Sequence, residues 1–477
     1  MKAGAHLAGA ERLIFASEKG RIVATPTDRF APVEFRGGPD AIDYITATLT
    51  STNERLADRE PLSPHEEQLL KHVLQADSGS AIQQTTSCGG CSCTAVGQSK
   101  SIELFLLLSQ YCNLGCVYCL DGDESYQKRR HLKMPLETAK QAISRFSKDL
   151  GPRDRFAITL FGGEPLLNWE VVPDIVSHAK EVCRDSLLPL RIAVQTNLTF
   201  IPPGFIELAA KENIEIISNI DGPPEIHNRM RPHRGRGSNS YSMTVKNLEK
   251  LQQSGVPFSL RATITSLNAG RLVEVADLHR SLGAAGTIFG VLRPVNSDGF
   301  VFDPSLAPSN EDLGRSMRQL YWERPEIVRD TLEGLFGRMV MQRSTRACGA
   351  AEMATPTVDA NGDVFSCAWF VGQPARLIGN VREETLLRET AVRRNFEDFD
   401  GTKDPVCARC EYFALCRGGC SATRLNTCGT PGEEFATAVV RNQQCSIVKN
   451  LLGEALLASG AGQSPATTYR REKPSLA

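Results

Sequence analysis

The chain has almost no excess of charge, no long apolar run and no good export signal. Lys and Arg number 54 against 55 for Asp and Glu, a formal net charge of −1. Nothing in that balance argues for a nucleic acid or an anionic membrane as partner. No apolar stretch reaches the length of a membrane span. The first residues, Met1 to Glu11, are apolar only briefly and are broken by His6 and Glu11, which makes a poor signal peptide. A cytoplasmic protein is therefore expected. Cysteine, by contrast, is plentiful, at fifteen in 477 residues. In a chain without an export signal this points to metal or redox use, not to a disulfide framework. The 41% hydrophobic content is ample for packed cores, and the length suggests about two to four domains.

Three of the cysteines stand as Cys112-x3-Cys116-x2-Cys119, after the apolar stretch Ile102 to Leu108, which reads as a buried strand. Three thiolates supply three of the four corners of a 4Fe–4S cube. The fourth iron then has no protein ligand and can bind a substrate or cofactor. A buried thiol cluster or a zinc site is the plainer alternative. A second motif, Phe161-Gly-Gly-Glu-Pro165, follows another apolar stretch, Phe156 to Leu160. Its glycines permit close approach of backbone to a ligand, and Glu164 offers an acceptor to an ammonium group. Polar residues follow at further strand ends: Asn197, Asn219, Arg231 and Arg261. Parallel α/β sheets bind ligands at the carboxyl ends of their strands, although each residue alone reads equally well as a surface group or a helix cap.

The cysteine run and the Gly-Gly-Glu-Pro stretch together resemble the radical S-adenosylmethionine (SAM) superfamily. The resemblance implies that Cys112, Cys116 and Cys119 hold a 4Fe–4S cluster whose open iron chelates the amino and carboxylate groups of SAM. An electron, from a donor such as a flavodoxin or ferredoxin, then cleaves the cofactor to methionine and a 5′-deoxyadenosyl radical. It also implies that Gly162, Gly163, Glu164 and Pro165 bind the methionine amino group and that Tyr118 lies beside the adenine. Asn197, Asn219, Arg231 and Arg261 become candidates for ribose and carboxylate contacts. Asn219 departs from the pattern, since relatives carry Ser two residues before the Asp-Gly pair.

Seven later cysteines form a second pattern: Cys348, then Gly362 and Cys367, then Cys407-x2-Cys410-x5-Cys416-x3-Cys420, then Cys445. They resemble the SPASM pattern of peptide-modifying radical enzymes, which holds two auxiliary 4Fe–4S clusters and would bring the total to three. The resemblance implies an outer cluster on Cys407, Cys410, Cys416 and Cys445, and an inner one on Cys348, Cys367 and Cys420. No cysteine follows Cys348 within Gly349–Ala354. The inner cluster would either keep an open iron for a substrate thiolate or be closed by Cys428. A zinc ribbon on Cys407, Cys410, Cys416 and Cys420 is the alternative, and it leaves Cys348, Cys367 and Cys445 without a role. Ala368 stands where sulfatase maturases carry the Asp proposed as base, which counts against sulfatase maturation. Asp221, Asp359 and Asp363 remain candidate bases.

The fold class expected from the resemblance is α/β, a partial (β/α)6 radical SAM barrel flanked by two smaller units. Residues 1–85 read as a small α+β domain. It has a hairpin (Leu13–Ser17 and Arg21–Ala24), a third strand at Pro32–Phe35 and a helix from Ile42 to Leu49. A capping box, Ser63-Pro-His-Glu66, opens a helix through Leu74. This unit resembles the winged-helix element that recognises leader peptides; a domain without that role is the alternative. Residues 86–99 form a linker with Cys88, Cys91 and Cys93, which could bind metal, form a redox pair, meet a substrate thiol or do none of these. Cys183 reads as a core thiol. Residues 100–300 alternate strand and helix, which argues for a parallel sheet with helices outside. Residues 301–345 read as a helical bridge, 346–450 as the SPASM domain and 451–477 as a disordered tail.

Within the family, the chain length, the early radical motif and Asp121–Tyr126 after it are most similar to thioether-forming maturases. Among these the chain resembles those that join Cys to Asp or Glu carbons in the small subunit of a quinohemoprotein amine dehydrogenase. The implied partner is a Cys-containing peptide or small protein. A thioether maturase of a small ribosomal peptide, a sulfatase maturase and a non-enzymatic iron–sulfur electron-transfer or scaffold protein stand as alternatives.

Overall fold

The N-terminal hairpin forms where the alternation of apolar residues places it. Strands β1 (Leu13–Glu18) and β2 (Arg21–Pro26) pair antiparallel with Glu18 opposite Arg21, and β3 (Val33–Arg36) pairs antiparallel with β2. Helices α1 (Pro39–Asp58) and α2 (Pro64–Gln75) cover the sheet. A capping box starts α2: the Ser63 amide donates to Glu66 Oε2 at 2.6 Å and the Glu66 amide donates to Ser63 Oγ at 3.4 Å. Leu13, Ile22, Ala24, Leu49, Leu70 and Val73 close a small core between the layers.

A computed structural model describes residues 13–18, 21–26, 33–36, 39–58, 60–75, 100–119, 132–235, 239–292, 303–328, 350, 353–383, 405–410, 412–416, 418–420, 443, 445–451 and 453–454. Cys88, Cys91, Cys93, Asp121–Tyr126, Cys348, Cys428 and the tail from 455 lie outside the described residues, as does the latter part of the expected bridge.

Six strands then pair in chain order, each parallel to the next: β4 (Ser101–Ser109), β5 (Arg155–Gly162), β6 (Leu190–Gln195), β7 (Glu215–Asn219), β8 (Phe258–Ile264) and β9 (Gly286–Val291). Helices follow each strand: α3 (Leu136–Ser147), α4 (Val172–Asp185), α5 (Phe205–Glu212), α6 (Pro224–Met230) with α7 (Ser240–Gln253), α8 (Leu272–Ser281) and α9 (Asn310–Glu323). Strand β4 reads as a nearly continuous apolar run, whereas β8 alternates buried and partly buried residues. Along β5, Phe156, Ile158 and Leu160 face the helices while Thr159 points to the other side and donates to Glu103 Oε1 at 2.9 Å. Helix α3 meets this face with Ala139, Ala142, Ile143 and Phe146, the i, i+3, i+4, i+7 stripe of an amphipathic helix.

The C-terminal part joins the same sheet. Strand β10 (Thr357–Val358) runs parallel to β4, and β11 (Asp363–Phe365) and β12 (Gly379–Asn380) add antiparallel, giving the order β12-β11-β10-β4-β5-β6-β7-β8-β9. Val358 and Val364 complete the helix-side core, while Phe365 turns inward to Leu107 and Phe370. Two short helices follow, α10 (Pro405–Ala408) and α11 (Phe413–Cys416). The helical run 445–451 lies on α9, where Ser446 Oγ donates to the Asn310 carbonyl at 2.8 Å. No helix among the described residues is long and apolar enough to cross a membrane.

Leu160 is fully buried between β5 and the helices. Leu160→Ala should lower unfolding stability by about 2–5 kcal/mol, read as a lower urea midpoint with an unchanged slope.

Candidate functional site

The loop Tyr111–Cys119 leaves the carboxyl end of β4 with little regular structure of its own, so its position is set by what grips it. The segment after α6 does so through backbone hydrogen bonds. Gly115 N donates to Pro232 O at 2.8 Å, Val117 N to Met230 O at 3.0 Å and Arg234 N to Asn113 O at 2.9 Å. From the other side the Gly-Gly-Glu turn at the end of β5 presses on it. Gly163 N donates to Ser109 O at 2.7 Å and Glu164 N to Tyr111 O at 2.9 Å. Gly162 has φ +126°, and a Cβ there would lie 2.6 Å from Ser109 O. At Gly163 a Cβ would lie 2.5 Å from Tyr111 O. Side chains at either position would force the two loops apart.

Glu164 is buried, and its carboxylate holds strand ends together. Oε1 accepts from Leu166 N at 3.0 Å and Thr196 Oγ1 at 2.7 Å, and Oε2 accepts from Asn197 N at 2.8 Å. Burial pushes its pKa up to about 7 against these bonds, which pull it down. Asn197 Nδ2 reaches Asn113 Oδ1 at 2.8 Å and Cys112 Sγ at 3.6 Å. The Leu114 amide also points at that sulfur, at 3.4 Å. Burial, then the nearby Glu164, raise the Cys112 thiol to about 12. Such a thiol keeps its proton at neutral pH until a metal displaces it.

The second centre is a buried ion pair. Arg231 Nε lies 2.6 Å from Asp221 Oδ2, and Arg231 Nη2 donates to Asn219 Oδ1 at 3.1 Å. Tyr118 donates its hydroxyl to the same Asp221 oxygen, and the Arg231 guanidinium lies 5.3 Å from the centre of its ring. Arg231 Nη1 sits 4.0 Å from Cys116 Sγ. Asp221 Oδ1 accepts from Thr263 N at 2.8 Å. Burial alone would raise Asp221, but Arg231, His227 and its hydrogen bonds hold it below the ordinary carboxylate value. Burial drives His227 down to about 4, so it is neutral at pH 7.

Cys112, Cys116, Tyr118, Glu164, Asn197, Asn219 and Arg231 thus share one connected site over β4–β7. Arg261 stands apart. It pairs with Asn219 in the β7–β8 register, yet its guanidinium lies over Gly290 of β9. Pro165 opens the turn after Glu164, and Cys119 N donates to Cys116 O at 3.1 Å.

The later cysteines fall in two places. Cys367 and Cys420 pack on one apolar cluster with Leu107, Phe161 and Trp369. Phe161 immediately precedes the glycine turn, so this cluster adjoins the first site. Cys407, Cys410 and Cys416 lie around α10 and α11, with Cys410 N donating to Cys407 O at 3.0 Å. Cys445 is one helical turn from Lys449, whose ammonium lies 5.3 Å from the Tyr412 ring centre between Cys410 and Cys416. Among the described residues no three His, Cys, Asp or Glu side chains close on a single ion. Soft thiols and N–H groups aimed at sulfur suit an iron–sulfur cluster, and the glycine turn packed on the cysteine loop suits a cofactor bound beside it.

Residues 106–278 match the Radical SAM superfamily. That class implies a 4Fe–4S cluster and SAM. The chain's relatives include peptide and sulfatase maturases. It is 28% identical over 349 residues to the mycofactocin maturase MftC of Mycolicibacterium smegmatis, covering 69% of this chain and 81% of that one. It is 24% identical over 332 residues to a cysteine-type anaerobic sulfatase-maturating enzyme of Clostridium perfringens, covering 66% of this chain and 87% of the relative. The fold is similar to that of Streptococcus suis SuiB bound to its precursor peptide SuiA. The TM-score is 0.52 at 14% identity, over 87% of this chain and 96% of that one.

The three candidate bases all have structural work. Asp221 is spent on Arg231. Asp359 Oδ1 accepts from the Asn361 and Asp363 amides at 2.8 and 3.1 Å, and Asp363 Oδ1 accepts from Asn380 Nδ2 at 2.8 Å. Thr196, Asn113 and Thr263 complete the site; Asn113 lies inside the Cys112-x3-Cys116 run, and the other two have no motif to mark them. The one available cue is that Thr196 adjoins Asn197 at a strand end.

Two predictions follow from this geometry. Gly163→Ala should cut SAM cleavage about 100-fold and lower iron content after reconstitution, whereas Gly151→Ala, with open space around it, should change neither. Asp359, pushed up to about 6 by burial and then by Asp363, binds its proton more tightly folded than unfolded. Its contribution to stability therefore falls as pH rises from about 4 to about 6. Asp359→Asn keeps the accepting oxygen and should remove that part of the pH slope in urea unfolding.

Proposed function

We propose that the chain is a radical SAM peptide maturase with two auxiliary 4Fe–4S clusters, forming thioether cross-links between Cys and another residue of its substrate. The observation that carries this reading is the adjacency of two thiol sites. The Cys112–Cys119 loop abuts the Gly162–Glu164 turn, and Cys367 and Cys420 pack beneath it on Phe161 and Leu107.

When bound, the first cluster and SAM would supply a 5′-deoxyadenosyl radical able to take a hydrogen atom from an unactivated carbon. The chain's own residues would place the reactants. The Gly162–Gly163 backbone and Glu164 would receive the methionine amino group. Arg231, already paired to Asp221, would hold its fork rigid beside Cys116 and the cofactor carboxylate. Asn197 and Asn219 would line the ribose. Tyr118 would offer one ring face to adenine while its hydroxyl stays on Asp221. Cys407, Cys410, Cys416 and Cys445 would hold the outer cluster, and Cys367 and Cys420, with Cys348, the inner one.

Residues 1–85 would receive the substrate's leader. The likeness to SuiB, which spans 87% of this chain, supports a peptide partner. The substrate class we favour is an amine dehydrogenase small subunit with Cys joined to Asp or Glu carbons, an electron-donor protein such as a flavodoxin or ferredoxin completing the system. A sulfatase-type reaction is disfavoured by Ala368, which stands directly after Cys367 and cannot accept a proton.

The test is anaerobic reaction of the reconstituted protein with SAM, a reductant and a quinohemoprotein amine dehydrogenase small subunit, followed by intact mass and alkylation mapping. A loss of two hydrogens per cross-link, with the cysteine closed to alkylation, is expected. A carbonyl without a cross-link would replace this reading with simple oxidation. Cys112→Ala should abolish 5′-deoxyadenosine and product together.

A further inference from the structure

Between β7 and α6 the chain passes through Ile220 and Asp221, both buried and both outside any strand or helix. A buried backbone must still place every N–H and C=O. Ile220 N donates to the Arg261 carbonyl at 3.0 Å, and Asn268 Nδ2 donates to the Asp221 carbonyl at 2.8 Å. The two remaining groups lie on one peptide bond, the carbonyl of Ile220 and the amide of Asp221. Each is met by a buried histidine. His279 Nε2 of α8 lies 2.7 Å from the Ile220 carbonyl, and the Asp221 amide donates to His227 Nδ1 of α6 at 3.3 Å.

The peptide dictates both tautomers. A carbonyl only accepts, so His279 carries a proton on Nε2, and its Nδ1 lies 3.2 Å from the Thr287 hydroxyl. An amide N–H only donates, so His227 Nδ1 is bare and the proton sits on Nε2. That Nε2 has no hydrogen-bond partner among the described residues. Burying an unpaired N–H is costly, and what the position supplies in return is the Nδ1 acceptor. Aromatic neighbours hold both rings. Phe289 stacks on His279 with ring centres 6.5 Å apart, and Tyr241 meets His227 edge to face at 5.7 Å. Burial lowers both imidazoles, which keeps them neutral at pH 7. The clamped peptide carries the Asp221 side chain. A turn of its plane changes φ of Asp221 and swings the carboxylate that Arg231, Tyr118 and Thr263 share.

We infer that His227 and His279 are positioning residues of the cofactor site, gripping the two ends of the Ile220–Asp221 peptide so that Asp221 holds Arg231 at the angle in which it meets the carboxylate of SAM. This rests on the placing of Arg231 against that carboxylate, and on nothing about the substrate peptide.

The two ends need opposite chemistry, so a pair of isosteres tests them. Asn Oδ1 stands near the place of His Nδ1, and Gln Nε2 near that of His Nε2. At 227 an acceptor is needed. His227→Asn should keep SAM affinity within about threefold, and His227→Gln should weaken it about tenfold. At 279 a donor is needed and the order reverses: His279→Gln should keep affinity and His279→Asn should lose about tenfold. Affinity is measured by equilibrium dialysis of SAM on the reconstituted protein without reductant, so that no turnover intervenes. With reductant, the two weak variants should raise KM for SAM by a larger factor than they lower kcat. Urea midpoints are taken for all four. Affinities that follow side-chain size at both positions, or that follow the urea midpoint, overturn the inference. So does wild-type affinity in His227→Gln and His279→Asn. Arg231→Lys, which keeps the charge and loses the fork, tests the reading beneath. Weak SAM binding in Arg231→Lys with intact binding in both of those histidine variants refutes the clamp alone. Intact SAM binding in Arg231→Lys refutes the role of Arg231 on the cofactor, and the clamp as a cofactor device with it.

Discussion

The buried pair of Asp221 and Arg231 is the interaction on which the site depends. Taking two charges out of water is costly, and the attraction between them compensates only when the remaining hydrogen-bonding capacity is filled. Here it is filled from four directions: Tyr118 from the cysteine loop, Thr263 from β8, Asn219 from β7 and the exit of α6, which carries Arg231 itself. Each partner is a strand end or loop that would otherwise be free to choose another arrangement. The cysteine loop has no helix or strand to fix it, so the geometry of three thiols is inherited from this one polar knot and from the backbone clamp beside it.

A second constraint acts at the glycine turn. Gly162 and Gly163 bring two backbones closer than any side chain would allow, and the cost of that approach is met by Glu164, which satisfies the Leu166 and Asn197 amides and the Thr196 hydroxyl. The same residue that seems from its motif to be only a ligand group is therefore also a structural brace. Its environment is poised: burial opposes its charge and three donors favour it. A cationic ligand arriving nearby would tip that balance toward the carboxylate.

Much of the architecture was readable in the sequence. The apolar runs at 102–108 and 156–160 gave their strands because both faces are buried, and Ser63 with Glu66 marked the start of α2 through a local hydrogen-bond exchange. Asn197 and Asn219 were visible as candidates because parallel sheets collect polar residues at their strand ends, and Arg231 stands in the stretch that follows, at the exit of α6. What was hidden depends on three-dimensional neighbours. Nothing in the residues around Asp221 tells that Tyr118, 103 positions earlier, bonds to it. Arg261 stands in β8, and only the three-dimensional structure shows that its guanidinium lies over Gly290 of β9. Strand β10, two residues long, is too short for any periodicity to announce.

That short strand has a consequence for biosynthesis. β4 is the first strand of the barrel to leave the ribosome, and one of its two edges is completed by Thr357 opposite Phe105, about 250 residues later. At roughly 5–20 residues per second, that edge waits about 10–50 s for its partner. During this interval one of the most apolar strands of the protein presents unpaired amides and carbonyls, the condition under which chains pair with one another. The C-terminal segment is thus more than a carrier of cysteines; it closes a strand edge that the growing chain leaves open.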